Sequence, residues 1–489
     1  MPTSAASGSS DPGPLDSQAL SSPNPTSEQG HTFHSNEDHE IDPEGEESMG
    51  LLNSERQRLR RRHNKLIVAI LVISFIVLII IVALMTGPIY WGPSTPSLTN
   101  GTHFFSPTVL LLSFDGLRSD YLDRGLTPAF SQIARRGSRA EYMTPAFPSV
   151  TFANHYSLVT GLYPESHGII GNSFYDPILN ASFYYKRPED SWPSKWWGGE
   201  PIWTTSVKQG VPSAIHMWPG SSSLIAGARP TYYDPFDQSW TLKQKTDRLL
   251  GWLDMERKER PHLIAGYIPD VDMAGHAYGP DSIQVDKSLE SVNGMMTDLL
   301  RGLEVRNLTN IVNIIIVSDH GMSRVGEHKK IALDDWIRPE DVQFVHGFPL
   351  AGIWPSPGAD VETLYQQLQQ GTTKKPFKVY RKEEIPARYH YQSSPRIAPL
   401  LCVPDVGFYM AWGNATYKPG GMHGYDNEAY DMRASFLSQG PAFRSSEGEK
   451  APWLKNVEVY GLISHILGLQ PSVNNGTIDW NTDTAYLRS

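Results

Sequence analysis

The stretch VLLLSFDGLRSDYL, Val109 to Leu122, decides how the chain is read. Val109–Phe114 places five apolar residues in six, which suits a strand buried on both faces of a sheet. The run stops at Asp115-Gly116 and so sets a carboxylate at the carboxyl end of a core strand. In α/β sheets ligands bind at that end. Taken alone, Asp115 is equally a cap for the next helix, and its partners elsewhere decide between the two readings.

Three further stretches share the design. VNIIIV at 312–317 ends in Ser318-Asp319-His320-Gly321. Leu263–Ile268 runs into PDVDMAGHAYGP, with Asp272 and His276 four residues apart, one helical turn. Gly420-Gly421-Met422-His423-Gly424 places a histidine in a glycine-flanked loop. Each has an ordinary reading by itself: a strand-end turn, an exposed helical pair, a loop histidine. Together they form a metal set. Zinc accepts imidazole nitrogen and carboxylate oxygen at about 2.0–2.2 Å. Two such ions about 4 Å apart can clamp the entering and leaving oxygens of a phosphoryl displacement. A nucleophile is then required. Thr151 opens a helix after the loop TPAFPSV, where the N-terminal N–H groups favour an anion, although an ordinary N-cap would look the same.

Strand patterns at 109–114, 214–217, 263–268, 312–318 and 406–411 alternate with helical ones near 128–137, 151–160, 241–259, 285–305 and 361–370. This predicts an α/β fold, a mostly parallel sheet flanked by helices. Near 372–400 the pattern breaks into a polar, Pro-containing stretch that suggests a small cap or insert. The chain has 489 residues, a hydrophobic content of 39% and one cysteine, Cys402. An intrachain disulfide is therefore excluded, and Cys402, within APLLCVPDVGF, reads as a buried small hydrophobe.

The net charge of −10 is unevenly spread. Residues 1–50 carry ten acidic residues and no Lys or Arg, and are rich in Ser, Pro and Gly. Arg56, Arg58, Arg60, Arg61, Arg62 and Lys65 follow, then nineteen uncharged residues, Leu66–Leu84. At about 1.5 Å per residue these reach about 28 Å, close to the ~30 Å hydrocarbon core. The expected organisation is a disordered cytosolic tail at 1–64, one transmembrane helix at 65–86, a stalk at 87–106 and a catalytic domain at 107–489. Positive charge on the N-terminal side predicts a single-pass type II protein with its domain extracellular or lumenal, in the plasma membrane, Golgi or vacuole/lysosome. Beside a membrane the basic run reads as a topology signal, so no stable nucleic-acid complex is expected. Sequons at Asn100, Asn180, Asn307, Asn414 and Asn475 all follow the span and are candidate glycosylation sites.

SFDGLR, TFANHYSLVTGLYPESHGIIGN, PDVDMAGHAYGP, SDHGM and GMHGYDN occur in the order found in nucleotide pyrophosphatase/phosphodiesterases. Weaker echoes are WWGGEPIW at 196–203, MWPGS at 217–221 and NNGT at 474–477. From about residue 107 onward the chain resembles that family, part of the alkaline phosphatase superfamily. The resemblance implies an alkaline-phosphatase-like fold and two zinc ions, one held by Asp272, His276 and His423, the other by Asp115, Asp319, His320 and the Thr151 hydroxyl. It implies Thr151 as nucleophile, Asn172 as donor to a phosphate oxygen, and Phe152, Trp218 and Tyr267 as the frame of a base or leaving-group pocket. The implied substrates are nucleotides or other small phosphodiesters.

The chain departs from the family pattern at Ala153, at Asp270-Val271, at Ser222 and at Asp190, so nucleobase preference stays open. The Cys-rich and nuclease-like modules of many animal members are not expected here. A sulfatase would need a modified Cys or Ser in a C/S-x-P-x-R stretch, and a phosphomonoesterase a D-S-A helix start; neither stands where Thr151 does. A phospholipid or lysophospholipid diesterase of the same family, and a catalytically silent adhesion protein, stay as alternatives.

Overall fold

The computed structural model describes residues 43–86, 98–413 and 415–488. Residues 1–42 and 87–97 and the sequon residue Asn414 lie outside the described residues. The chain divides into two units, residues 1–91 and 92–489.

In the first unit one helix spans Pro43–Thr86. Within it, Ser54–Ile81 is long and apolar enough to cross a membrane. Leu71, Phe75 and Leu78 stand exposed along it. Residues 43–64, expected to be disordered, are helical. Glu, Gln, Leu and Arg there are strong helix formers, and a helix already nucleated extends at little cost. Pro43 occupies the first helical position, where its missing N–H goes unneeded.

The second unit is built on an eight-stranded sheet. Its strands are β1 (Thr108–Phe114), β2 (Ser138–Ala140), β3 (Ser213–His216), β4 (Tyr232–Asp234), β5 (Leu263–Ile268), β6 (Val312–Val317), β11 (Phe436–Gln439) and β12 (Lys450–Ala451). The order across the sheet is β12-β2-β11-β6-β1-β5-β3-β4. β1 lies centrally, parallel to β5 and β6 on either side. Only β11 runs against its neighbours.

Every residue of β1 is buried, and alternate side chains enter different layers. Val109 and Leu111 pack with Tyr156, Leu158, Ile202 and Leu462. Leu110, Leu112 and Phe114 pack with Phe130, Leu249, Leu289 and Met296. Helices therefore cover both faces, as parallel sheets require.

The expected strand at 406–411 is only Tyr409–Ala411 and lies outside this sheet, paired with Lys330–Ala332. The insert is a four-stranded antiparallel sheet, β7 (Val342–His346), β8 (Ala351–Pro355), β9 (Phe377–Arg381) and β10 (Leu400–Pro404), in the order β7-β8-β10-β9. Helix Val361–Thr372 covers it, and Cys402 is fully buried in that small core. Residues 98–106, read as stalk, form a hairpin of Leu98–Thr99 against Phe104–Phe105. The Asn100-Gly101 turn supplies the left-handed backbone it needs, with φ +99° at Gly101, and buries Phe105.

Candidate metal centre and active site

Five segments deliver the site, three of them from carboxyl ends of adjacent central strands. β1 ends at Asp115, β6 at Asp319-His320, and β5 runs into helix Asp270–Tyr278 carrying Asp272 and His276. Gly116 (φ +66°) makes the first turn, and a Cβ there would come within 3.0 Å of the Asp272 Cα. His423 follows strand Gly420–Met422, which pairs with Ser323–Val325. Gly420 and Gly421 let that strand touch the His276 helix: a Cβ would meet the His276 carbonyl oxygen at 2.1 Å and the Gly275 carbonyl oxygen at 2.5 Å. The Gly-Gly pair is thus a close approach of two backbones.

Two groups of side chains that could hold a metal ion result, Asp115 with Asp319 and His320, and Asp272 with His320 and His423. His320 Nε2 lies 2.9 Å from Asp319 Oδ2 and 3.5 Å from Asp115 Oδ1. His423 Nε2 lies 3.6 Å from Asp272 Oδ1, and His276 Nε2 is 3.4 Å from Asp272 Oδ2 and 3.0 Å from His423 Nε2. Each imidazole is oriented by a carbonyl at Nδ1: Gly321 for His320 (2.9 Å), Ser149 for His423 (2.8 Å) and Gly421 for His276 (3.0 Å). Their Nε2 lone pairs therefore converge, the arrangement typical of metal-binding histidines. Asp115 Oδ1, Asp272 Oδ1 and Asp319 Oδ2 are buried without hydrogen-bond donors. Orphaned carboxylate oxygens facing imidazole lone pairs are costly unless a cation joins them, so the residues fit a divalent metal.

The electrostatics agree. Burial, then the Asp319 and Asp272 carboxylates, push Asp115 well above the usual carboxylate range. Burial also raises Asp272, against the pull of His276 and His320. Asp319 is buried as well, yet His320 and His155 hold it well below that range. Burial, His320 and His276 drive His423 far down, which keeps it a neutral ligand.

Thr151 is the first residue of helix Thr151–Thr160, with its Oγ1 3.4 Å from His320 Nε2. Asn172 Oδ1 accepts from the Phe152 N–H at 2.9 Å, which ties its amide to the start of the same helix. Phe152 is half-buried, edge-on to Tyr185 at 5.3 Å. Trp218 and Tyr267, expected to frame the pocket, lie beneath it at 2% and 7% exposure. The Trp218 indole donates to the His155 carbonyl, and the Tyr267 hydroxyl donates to Asp115 Oδ2. Their polar ends are spent inside the core, so both support the site from below.

His155, which sequence reasoning passed over, sits between Thr151 O (2.9 Å) and Asp319 Oδ2 (3.3 Å) at Nδ1, and Ser113 Oγ (2.8 Å) at Nε2. Its spacing of four from Thr151 was the available signal. Of the sequons, Asn180 and Asn307 are exposed and Asn100 and Asn475 half-buried. The Asn307 amide donates to the Asn100 carbonyl.

The profile of the type I phosphodiesterase / nucleotide pyrophosphatase family matches residues 109–426. An uncharacterized pyrophosphatase/phosphodiesterase of Schizosaccharomyces pombe is 41% identical over 84% of this chain and 86% of its own length. Human ectonucleotide pyrophosphatase/phosphodiesterase family member 1 is 39% identical over 76% of this chain and 41% of its own. A venom phosphodiesterase of Macrovipera lebetinus is 36% identical over 76% and 44%. The chain thus spans less than half of the human and viper proteins. Among solved structures, murine ectonucleotide pyrophosphatase/phosphodiesterase 5, in an inactive threonine-to-alanine form with AMP, superposes with a TM-score of 0.73 at 34% identity, over 78% of this chain and all of that one. Agreement in fold and sequence along most of the domain, in the order of motifs that build the site, leaves one assignment: the chain belongs to the type I phosphodiesterase / nucleotide pyrophosphatase family, within the alkaline phosphatase superfamily.

Proposed function

We propose that the protein hydrolyses phosphodiester and pyrophosphate bonds of nucleotides, releasing nucleoside 5′-monophosphate through a covalent intermediate on Thr151, with two zinc ions per chain. The observation that carries this is the convergence of three orphaned carboxylate oxygens on imidazole nitrogens, beside a threonine at a helix N-terminus. Asp272, His276 and His423 would hold one ion, and Asp115, Asp319, His320 and Thr151 the other. When bound, zinc supplies Lewis acidity, which lowers the pKa of a hydroxyl and stabilises a departing oxygen.

Thr151 Oγ1 attacks phosphorus in line; the bond to the leaving oxygen breaks, the threonine proton ends on that oxygen, by way of solvent, and a nucleotidyl-threonine forms. Water then attacks the same phosphorus, restores the Thr151 hydroxyl and frees the monophosphate. The helix N-terminus favours the anion, and the Asn172 amide, anchored through its oxygen, presents its N–H groups to an equatorial phosphate oxygen. Two inversions give net retention at phosphorus, and a chiral thiophosphate substrate checks it. Thr151→Ala should abolish AMP release from ATP while metal content by elemental analysis stays at two; activity retained in that variant refutes the assignment. A murine neighbour described as inactive after a threonine-to-alanine replacement, and solved with AMP, supports the reading.

We also infer a single-pass type II topology. The Arg cluster precedes the apolar span and every sequon follows it, which supports a catalytic domain outside the cytosol, where the exposed Asn180 and Asn307 would be open to glycans.

A further inference from the structure

A cavity of about 530 Å³ opens beside the site. That size falls within the roughly 300–1,000 Å³ of small-molecule pockets. It touches Asn172, His276 and His423 but none of Thr151, Asp115, Asp319 or His320. From there it runs toward the insert sheet, where β7 and β8 contribute His346 and Trp354 to its wall.

The wall is rich in rings: Trp354, Phe348, Tyr185 and Tyr417 all line it. Its permanent cations are few. Arg396 is spent: Nε donates to Asp176, Nη1 to the Gly168 and Trp196 carbonyls, and Nη2 to the Lys195 carbonyl. Lys186 is exposed, with Nζ over the Tyr185 ring at 5.4 Å. His346 offers a buried Nε2 with no hydrogen-bond partner, and burial brings its pKa down to about 4, so it is neutral.

We infer that this cavity receives the departing half of the substrate and is built for an uncharged, ring-bearing group, a nucleoside, rather than for inorganic pyrophosphate. The inference rests on the functional reading above and names the substrate class. In-line attack by Thr151 places the leaving oxygen on the opposite side of phosphorus, toward His276 and His423, where the cavity begins. A nucleoside entering there stacks on aromatic walls, and the neutral His346 beside them adds no charge. Beyond the ion that His276 and His423 would hold at its mouth, pyrophosphate would bring several negative charges into a space whose one cationic side chain not engaged by carboxylate or carbonyl acceptors, among the described lining residues, is Lys186. The balance is that of hydrolysis: the bond from phosphorus to the nucleoside oxygen breaks, and water supplies a hydroxyl to phosphorus and a proton to that oxygen.

The test uses the full-length, zinc-loaded Thr151→Ala chain, so that binding is read without turnover. Adenylyl-(3′→5′)-adenosine and ATP share the AMP half and differ in the half that leaves. The dinucleotide should bind about tenfold more tightly. Adding Trp354→Ala should weaken the dinucleotide about tenfold, with ATP changed less than about twofold. Adding Ser173→Lys, which sets a cation on the half-buried wall position next to Asn172, should instead strengthen ATP and narrow the gap. ATP binding as tightly as the dinucleotide, or both weakening equally in Trp354→Ala, overturns the inference and leaves the functional reading intact. No AMP release from either compound by the wild-type chain overturns both.

Discussion

The two ligand groups differ in how the protein holds them. Asp115, Asp319 and His320 have side-chain exposures of 2% or less, whereas Asp272 stands at 12% and His276 at 33%. The first group rests on the ends of two paired central strands and is braced by the Gly116 N–H, the Tyr267 hydroxyl and His155. The second is assembled from a helix and a glycine-rich strand, and its histidines line the open cavity. The difference fits a division of labour. On the function proposed above, the enclosed group would lie beside the attacking Thr151 hydroxyl and the more exposed group beside the leaving half, on the side from which products would depart.

His320 is assigned to the enclosed group, yet its ligand atom also lies within 4.8 Å of those of Asp272 and His423, so its loss is the largest perturbation. His320→Ala should remove both ions and lower AMP release at least about 10²-fold. His276→Ala should cost one ion and leave the other bound, as counted by elemental analysis. Equal metal loss in the two variants would break the distinction between an enclosed and an open group. A chelator time course sharpens it: metal should leave in two phases, and the faster phase should vanish in His276→Ala. A single phase in the wild-type chain would show that both ions exchange through one route.

The enclosed group was the more legible in the sequence. Apolar runs ending in Asp115 and Asp319-His320 announce buried strands with polar tips, a pattern visible in the local sequence. Asp272 and His276 were readable as one turn of helix, and His423 joined the same metal set from its glycine-flanked loop, though only the resemblance assigned it to their ion. What escaped were properties of packing. Tyr267 and Trp218 look like pocket residues in one dimension, but their polar ends face inward, and strand register alone decides that. The hairpin at 98–106 was hidden because its strands are two residues each, too short for periodicity to show. The helix at 43–64 was masked by composition: the acidic, Ser-, Pro- and Gly-rich tail suggested disorder, but the Glu, Gln, Leu and Arg residues at 43–64 are good helix formers.

The braces predict a smaller effect. Tyr267→Phe keeps the ring beneath the site and deletes only the hydroxyl that donates to Asp115. Outer-shell losses of this kind cost roughly 10–100-fold in metal affinity or activity. The loss should fall on the enclosed group, and would show as a weaker second equivalent in a zinc titration while the His276-dependent equivalent is unchanged. If the His276-dependent equivalent weakens instead, the brace serves the open group and the comparison is inverted.

The smallest effect expected lies farther out, where the insert grips the domain. Arg396 joins Asp176 to the Gly168, Trp196 and Lys195 carbonyls. The Tyr391 hydroxyl donates to the Ile170 carbonyl, and Glu165 accepts from the Gln392 and Ser393 N–H groups. Residues 391–396 thus clasp the loop that carries Asn172, and the Asn172 amide oxygen in turn accepts from the Phe152 N–H at the start of the Thr151 helix. An ammonium cannot reproduce the planar fork of a guanidinium, so Arg396→Lys leaves acceptors unmet. A stability loss of about 1–3 kcal/mol follows, measurable by denaturant unfolding. Activity should respond through Asn172 alone, with kcat falling by less than the 10²–10³-fold expected when a transition-state donor is removed outright in Asn172→Ala. In an Asn172→Ala background, Arg396→Lys should lower stability again but change kcat no further. An additive fall in kcat would mean that the clasp reaches the nucleophile by another path, and the insert would then be part of the enclosed region rather than of the open one.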